Sequence, residues 1–588
     1  MKPLLETKKK LSLKLKAFIT LFVVIVVLAF VFTLKFSGNS KKDFANLHYS
    51  KNVIAPISSS EGGFYKTAFT INLSTIDLNT QIYYTLDGSE PTLASTLYSK
   101  PILIEDRTEN KNYLSAIPTS PRWKPPIGTI FKGTVLRAIA IDGENKKSAE
   151  LIKTFFVNEK GNQRYSLPVI SITVNSKELF GYNRGIYVLG KSYSDKDNYI
   201  RKNIPLDLPW WEYPSNYLMR GADAEREAHI EFYEPSGKLG FESTVGLRIH
   251  GNATRGYPQK SLRVCFREKY GQSELNYNLF PANPVKKFSS FILRNSGNDW
   301  DKTMFRDGFM QSLMKNSSID IQDYRPSIVF INAEYWGIHN IRERFDENYL
   351  ANKYNLSPDS VIILEMSGKL VRGQKGEEQK FTELLNFVSK NDLSIQKNYD
   401  YVRSKMEIES FSDFVIANVY FCNSDWPNNN VRFWRYNSES VADSLVKKEG
   451  KWRWMLYDTD WGFGYNDLSS PKSNLLEKAT RVGSVGILFS ELLKNKEFVS
   501  QFLDRFQHHL NTSFYIPYVN QKIDQMKYSI SPEIQEHIDR WRGIGSYEKW
   551  LSNIGVLKDF AEQRPSFQAD QLNTFFNLKG KQQIIIKK

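Results

Sequence analysis

Residues 425–430 read DWPNNN, and residues 458–464 read DTDWGFG. Each is an acidic cluster rimmed by Trp and by Asn or Gly. Each comes after an aromatic run, ESFSDFVIANVYF (409–421) in the first case and WRWMLY (452–457) in the second. Asp, Asn, Pro and Gly are the ordinary turn formers, so two surface turns are one reading. The other is that folding joins the turns around a cation and a phosphate ester. Asp425 and Asn430 have the spacing Asp, four residues, Asn, which lets one tight loop aim a carboxylate and a carboxamide at a single phosphoryl group. Asp460-Trp461-Gly462 has an acidic-aromatic-glycine order at the end of a strand-like segment, and either Asp458 or Asp460 could face a metal.

A nucleotide needs cations. Lys260 in QKSLRVCF opens a strand after the turn that holds Gly251 and Gly256, a placement suited to reaching phosphates with help from backbone N–H groups. Arg263 lies on the opposite face by alternation, and Arg248 and Arg255 are further phosphate candidates. Around them, His250 fits a hydrogen-bonded strand histidine better than a ligand. Arg294, Asn295 and Asp299 sit in a polar LRNSGNDW loop, where a helix cap explains Asp299 or Asp301 as well as chemistry does. Arg306-Asp307 could partner the phosphate-binding cation from a helix, with Glu343 and Glu365 as alternatives. Trp336, Trp426, Trp434, Trp452, Trp454 and Trp461 read mostly as core.

The chain of 588 residues allows roughly three or four domains. Its hydrophobic content of 41% supports packed cores rather than disorder. The net charge of +15 is spread along the chain, without the basic stripe of a nucleic-acid binder, so no nucleic-acid partner is expected. Cys265 and Cys422 are the only cysteines, which excludes a disulfide framework and a Cys-based zinc site.

Residues 17–34, AFITLFVVIVVLAFVFTL, carry no charge and would make a helix about 27 Å long, close to a bilayer core. Lys2, Lys8, Lys9, Lys10, Lys14 and Lys16 crowd its amino side. The expectation is a cytoplasmic tail over 1–16 and a transmembrane signal-anchor over 17–36, with the bulk of the chain outside the cytoplasm. A cleaved signal peptide competes, but FSGNSKK offers no clear small-x-small site.

Beyond a polar tether, residues 50–158 alternate in short strands with DG turns (AFTINLS, QIYYTLDGSEPT, KGTVLRAIAIDGENK), which predicts an Ig-like β-sandwich. Residues 165–245 read as a β-rich linking region (LPVISITV, GIYVLG, AHIEFYE), and residues 246–575 as an α+β domain. There MFRDGFMQSLMK has helical periodicity, and SIVFINAEYWGIHNIRERF reads as a hairpin turning on Glu334–Gly337.

The stretch IYYTLDGSEPTLASTLYSKPI resembles the chitobiase/hexosaminidase carboxyl-terminal accessory domain, from SSSEGGFY to TVLRAIAID. That likeness implies a sandwich without catalytic residues. RIHGNATRGYPQKSLRVCFREKYG, FILRNSGNDW, FRDGFMQSLM, YWGIHNIRERFD, DWPNNN, WMLYDTDWGFG and RPSFQADQLNTFF together resemble the CotH family, named for a spore coat protein kinase, in order from about 165 to 570. The resemblance implies an atypical protein-kinase-like domain that uses ATP with Mg²⁺ or Mn²⁺ on a protein Ser or Thr. By it, Asp425 takes the catalytic-loop position, Asn430 and Asp458 or Asp460 the metal positions, and Lys260 the phosphate-binding position. The chain departs from ordinary protein kinases in lacking a G-x-G-x-x-G loop and in placing Asn423-Ser424 where His-Arg would precede Asp425. The alternative is a non-catalytic protein of the cell surface or spore envelope that binds glycan on a kinase-like fold.

Overall fold

The computed structural model describes residues 53–77, 79–194, 209–437 and 450–586. The expected anchor at 17–36 lies outside them. Among the described residues no helix is long and apolar enough to cross a membrane.

The first module is a small sandwich. Gly63–Tyr65, Leu151–Val157, Thr134–Asp142, Thr80–Thr85 and Thr96–Leu97 form one five-stranded sheet, and Phe69–Ile71 pairs with Ile102–Ile104 in the layer that faces it. Period-two alternation drives Ile71, Ile82, Ile104, Leu136 and Phe155 into a shared core.

The second body is a closed barrel of seven strands: β1 (Val169–Val174), β2 (Arg226–Tyr233), β3 (Leu239–His250), β4 (Ser261–Cys265), β5 (Ser290–Arg294), β6 (Tyr324–Ile331) and β7 (Glu334–Glu343). Their order is β1-β2-β3-β4-β5-β7-β6, and the parallel pairing of β1 with β6 closes the ring. The expected junction at 246 therefore falls inside β3, and the region read as a linker supplies β1, β2 and the first part of β3. Its runs of Ile, Val and Phe looked like generic strand material, because closure depends on a partner about 160 residues further along. The β6–β7 turn is formed by Asn332 and Ala333, at φ 45° and 60°, rather than by Glu334–Gly337. Two left-handed residues match the twist of a tight hairpin, and Asn adopts that conformation readily.

The register of β3, β4 and β5 sorts their side chains. Leu247, Ile249, Leu262, Val264, Phe291 and Leu293 share one face and are buried. Arg248, Arg263, Ile292 and Arg342 lie in one cross-strand row on the opposite face, with His250, Ser261 and Arg294 beside them. The barrel thus turns an apolar face to its core and an arginine-rich face outward.

Beyond the barrel stand an antiparallel sheet, in the order Lys369–Arg372, Val361–Glu365, Arg432–Tyr436, Arg453–Met455, and a set of helices. Helix α1 (Arg306–Leu313) precedes β6, and helix α2 (Ile408–Tyr420) is buried along nearly its whole length. A 29-residue helix, Tyr547–Phe575, backs this half. From it the buried Arg564 guanidinium donates to the carbonyls of Val419, Tyr420, Pro471 and Ser473, which locks the end of α2 in place. Cys265 and Cys422 are both buried and unpaired.

The sandwich is fused to the barrel. Phe156 packs on Phe330 with ring centroids 4.6 Å apart, and Phe131 meets Phe330 edge-on. The Glu334 carboxylate accepts the backbone N–H groups of Tyr113, Leu114 and Ser115 at 2.9, 3.0 and 2.8 Å.

Candidate active site

The two acidic turns meet because a hairpin brings them together. Arg432 pairs with Met455 and Phe433 with Trp454, antiparallel. Asn430 stands just before the first of these strands and Asp458 just after the second, so both leave the sheet at the same end. Asn430 and Asp458 each adopt a left-handed backbone, at φ 59° and 55°. Asn430 Nδ2 donates to Asp425 Oδ2 at 2.9 Å and to the Asp458 carbonyl at 3.1 Å, stitching the turns together. Asn429 Nδ2 donates to the other Asp425 oxygen at 2.7 Å. Lys478 shapes the same turn, donating to the carbonyls of Ser424 and Trp426 at 3.0 and 2.7 Å. Burial lowers its pKa, opposed by the negative charge of Asp425.

Asp458 and Asp460 share one cation, Arg294 from the end of β5. Its Nη2 lies 2.6 Å from Asp458 Oδ1 and 2.9 Å from Asp460 Oδ2. Its Nε lies 3.9 Å from Asp307 Oδ2, on the first turn of α1. Burial disfavours the Arg294 charge, but Asp458, Asp307 and Asp460 outweigh it and hold the pKa above its usual value. Asp307 is itself fixed by Arg342 Nη1 at 2.6 Å and by the backbone N–H of Thr459 at 2.9 Å. Its carboxyl is held low despite burial, by Arg342 and then Arg294.

The two aspartates differ in setting. Asp460 is fully buried and accepts the backbone N–H of Asn298 at 2.8 Å. Burial, and after it the charge of Asp458, pushes its pKa up to about 8. The Asp458 side chain keeps 37% of its exposure and sits beside Asn430, so it is the carboxylate that can reach a ligand. Arg306 secures the far end of this turn, donating to the Gly462 and Phe463 carbonyls at 3.2 and 2.6 Å.

The expected phosphate ligands divide. Lys260 is completely buried, and its Nζ donates to the carbonyls of Arg255 and Tyr257 at 2.7 and 2.8 Å, with the Tyr217 ring 4.0 Å away. Burial and the nearby Arg255 charge drive its pKa well down. Arg255 is likewise spent on backbone, donating to Gly251, Tyr217, Met219 and Ile249. These two hold the turn at 251–260 in shape and do not meet the acidic turns. Lys260 lies one residue before β4 begins, and the alternation that sends Arg263 outward turns Lys260 inward. Arg248 and Arg263 do lie on the outward arginine face with Arg294, and neither enters a salt bridge with a described residue. His250 lies among these cations; burial first, then Arg344, Arg294 and Arg263, keeps it neutral.

Arg294 is the cation that a reading by sequence undervalued. Only its place in LRNSGNDW, ahead of the helix that carries Asp307, hinted at it. Asn298, Arg342 and Lys478 had no signal in spacing at all. Glu343 accepts the Asp323 backbone N–H and the Asn283 carboxamide, and Glu365 pairs with Lys369 and Arg432, so neither joins this network.

The family model for the CotH kinase protein matches residues 247–568, more than half the chain. The chain belongs to the CotH kinase family. A second family model, Fn3 associated, covers residues 71–155, the accessory sandwich that precedes the CotH domain. No curated protein matches the chain. The CotH match starts inside β3, whereas the barrel that carries Arg294 begins at β1, so the folded unit reaches further toward the amino terminus than the matched region.

The donor set is one of hard oxygens: the Asp458 carboxylate and the Asn430 side-chain carbonyl, with Asp460 buried behind them on Arg294 and Asn298. Among the described residues no group of three or more His, Cys, Asp or Glu forms a self-sufficient metal cage. Magnesium does not require one, since one or two carboxylates plus phosphate oxygens and water complete its shell. Asp458, whose side chain is 37% exposed, and the Asn430 side-chain carbonyl supply two such oxygens, and the residues present fit a divalent cation.

Proposed function

We propose that this CotH protein transfers the γ-phosphoryl group of a nucleotide such as ATP to a Ser or Thr hydroxyl of a protein, with Mg²⁺ or Mn²⁺, outside the cytoplasm. The observation that carries the reading is the convergence of Asp425, Asn430, Asp458 and Asp460, through Asn430 and Arg294, beneath an arginine-bearing barrel face. Asp458 and Asn430 would hold the cation, which when bound neutralises charge on the phosphate oxygens. Asp460 serves Arg294 rather than the ligand: it is buried and anchored by Asn298.

Asp425 accepts two carboxamide donors, which fix the orientation of its oxygens, so that one can receive the proton of an incoming hydroxyl. Arg294 plays the part usually given to a strand lysine, tied to Asp307 on α1 as that lysine is tied to a helix carboxylate. Arg248 and Arg263, without an ion-pair partner among the described residues, would draw in the triphosphate, and fixed cations of this kind stabilise the charge that spreads over the transferring group. The exterior setting rests on the apolar segment 17–34 and its lysine-rich amino flank.

The test is transfer of labelled phosphate from nucleotide to protein by the full chain. Asp425→Asn should cut the rate by about 10²–10⁴-fold while leaving nucleotide-dependent thermal protection in place. Equal labelling by the variant would remove Asp425 from the mechanism.

A further inference from the structure

The accessory sandwich does more than dock. Between its strands Ile102–Ile104 and Thr134–Asp142 it sends out a strap that crosses the catalytic half. Thr119 Oγ1 donates to the Pro258 carbonyl at 2.8 Å and Ser120 Oγ to the Gly256 carbonyl at 2.6 Å. Ile127 N–H donates to the Asp539 carbonyl at 2.9 Å. The strap thereby walls a cleft with Tyr257 and Trp300 of the barrel side, Trp210, and the end of helix Ile534–Trp541.

Three cations rim this cleft: Arg122 and Lys124 from the strap, and Arg542 after the helix. All three are exposed, and none enters a salt bridge with a described residue; Asp301 is the acidic group of the lining. The aromatic walls are already engaged. Trp210 stacks on Tyr257 and carries Arg122 above its ring at 5.1 Å, and Tyr257 leans on Trp300. A ring platform free to stack on a sugar is therefore not what the cleft offers; it offers positive charge over a rigid aromatic floor.

Arg542 adds a second observation. It caps the helix with a left-handed backbone, at φ 57° and ψ 21°, a position where Gly or Asn is usual. Gly543 is the next residue, so the strain is borne by the residue whose guanidinium rims the cleft. The floor also leads to the acidic turns: the Tyr257 hydroxyl donates to Asn298 Oδ1 at 3.1 Å, and Asn298 N–H donates to Asp460. Along the surface, Lys302 lies over Tyr465, Tyr465 packs on Trp461, and the Trp461 carbonyl accepts the Ser424 hydroxyl, one residue from Asp425.

We propose that the Arg122–Lys124–Arg542 cleft is a docking subsite for the acceptor protein, taking an acidic side chain, Asp, Glu or an already phosphorylated Ser, that lies along the chain from the accepting hydroxyl. The accessory module then forms part of the substrate site. The acceptor role rests on the kinase reading; the binding of an acidic segment does not.

The test separates the two. Fluorescence anisotropy of a fluorescein-labelled hexaglutamate peptide on the full chain should show binding that weakens with salt. Arg122→Gln combined with Arg542→Gly should weaken it by about tenfold or more. The double variant should melt no lower than the parent, because Gly takes the left-handed position more cheaply than Arg. In phosphate transfer to a Ser peptide flanked by Glu, the double variant should raise KM with kcat unchanged, and leave transfer to a Lys-flanked peptide as it was. Peptide binding that is lost in the variant, on a chain that transfers no phosphate, upholds the subsite and defeats the kinase reading. No peptide binding, or equal binding by the variant, overturns the subsite. So does capture of oligogalacturonate in place of the peptide, which would give the cleft to an anionic glycan.

Discussion

Replacing Arg294 with Met should remove the one cation that Asp458 and Asp460 share. Two unit charges about 4 Å apart are worth about 4 kcal/mol at an effective dielectric of 20. The contact with Asp458, whose side chain is 37% exposed, is screened and adds about 1 kcal/mol at most. The contact with Asp460 is buried, and above about pH 8, where Asp460 carries its charge, stripping that pair of one partner costs about 3–5 kcal/mol, because the remaining charge is left uncompensated. For a unit of this size that is a fall in melting temperature of about 3–5 °C. A divalent cation held at Asp458 and Asn430 would supply part of the missing charge. Thermal melts at pH 9, with and without magnesium and nucleotide, should therefore show a larger metal-dependent gain for Arg294→Met than for the parent. Phosphate transfer should fall by about 10²–10³-fold. A variant that melts with the parent, or that gains no more from metal than the parent does, would refute the account of Arg294 as the neutralising partner of these turns.

Lys260→Met should lower stability by about 1–3 kcal/mol through the orphaned carbonyls of Arg255 and Tyr257, yet leave nucleotide-dependent thermal protection unchanged; loss of that protection would return Lys260 to the site. Glu343 has its pKa pushed up to about 7 by burial and by Asp323, so the native state holds its proton between about pH 4.5 and 7 and the unfolded state does not. Its contribution is complete below about pH 4.5 and is lost as pH rises through 7, about 3 kcal/mol in all. Melting curves at pH 5 and pH 8 should accordingly differ more for the parent than for Glu343→Gln, and parallel profiles would contradict this. Glu334→Ala leaves the N–H groups of Tyr113, Leu114 and Ser115 without their carboxylate, and should speed hydrogen exchange across the 113–127 strap while the barrel core stays protected.

Much of this architecture was readable from local pattern. The sandwich came from period-two alternation and DG turns, and the two acidic turns from the Asp-x4-Asn spacing and the DTD that ends an aromatic strand. What local pattern does not carry is the partner across space. The Val169–Val174 strand reads the same whether it bridges two domains or opens a barrel, since the strand that completes it, Tyr324–Ile331, is remote. For the same reason Lys260 looked like the phosphate cation. Its place beside a glycine-bearing turn was visible, but the inward direction of its side chain was set by where β4 begins. Arg294 was hidden for the opposite reason: its partners Asp307, Asp458 and Asp460 are scattered along the sequence and meet only in the fold.

Closure of the ring between its first strand and the one ending at Ile331 also sets a clock on biosynthesis. At about 5–20 residues per second, Val169–Val174 leaves the ribosome roughly 8–30 seconds before its parallel neighbour exists. Through that interval an Ile- and Val-rich edge stands open to stray pairing. Pairing with the antiparallel neighbour Arg226–Tyr233 covers only the other edge of this strand, so the edge that will meet Tyr324–Ile331 stays unpaired until the ring can shut.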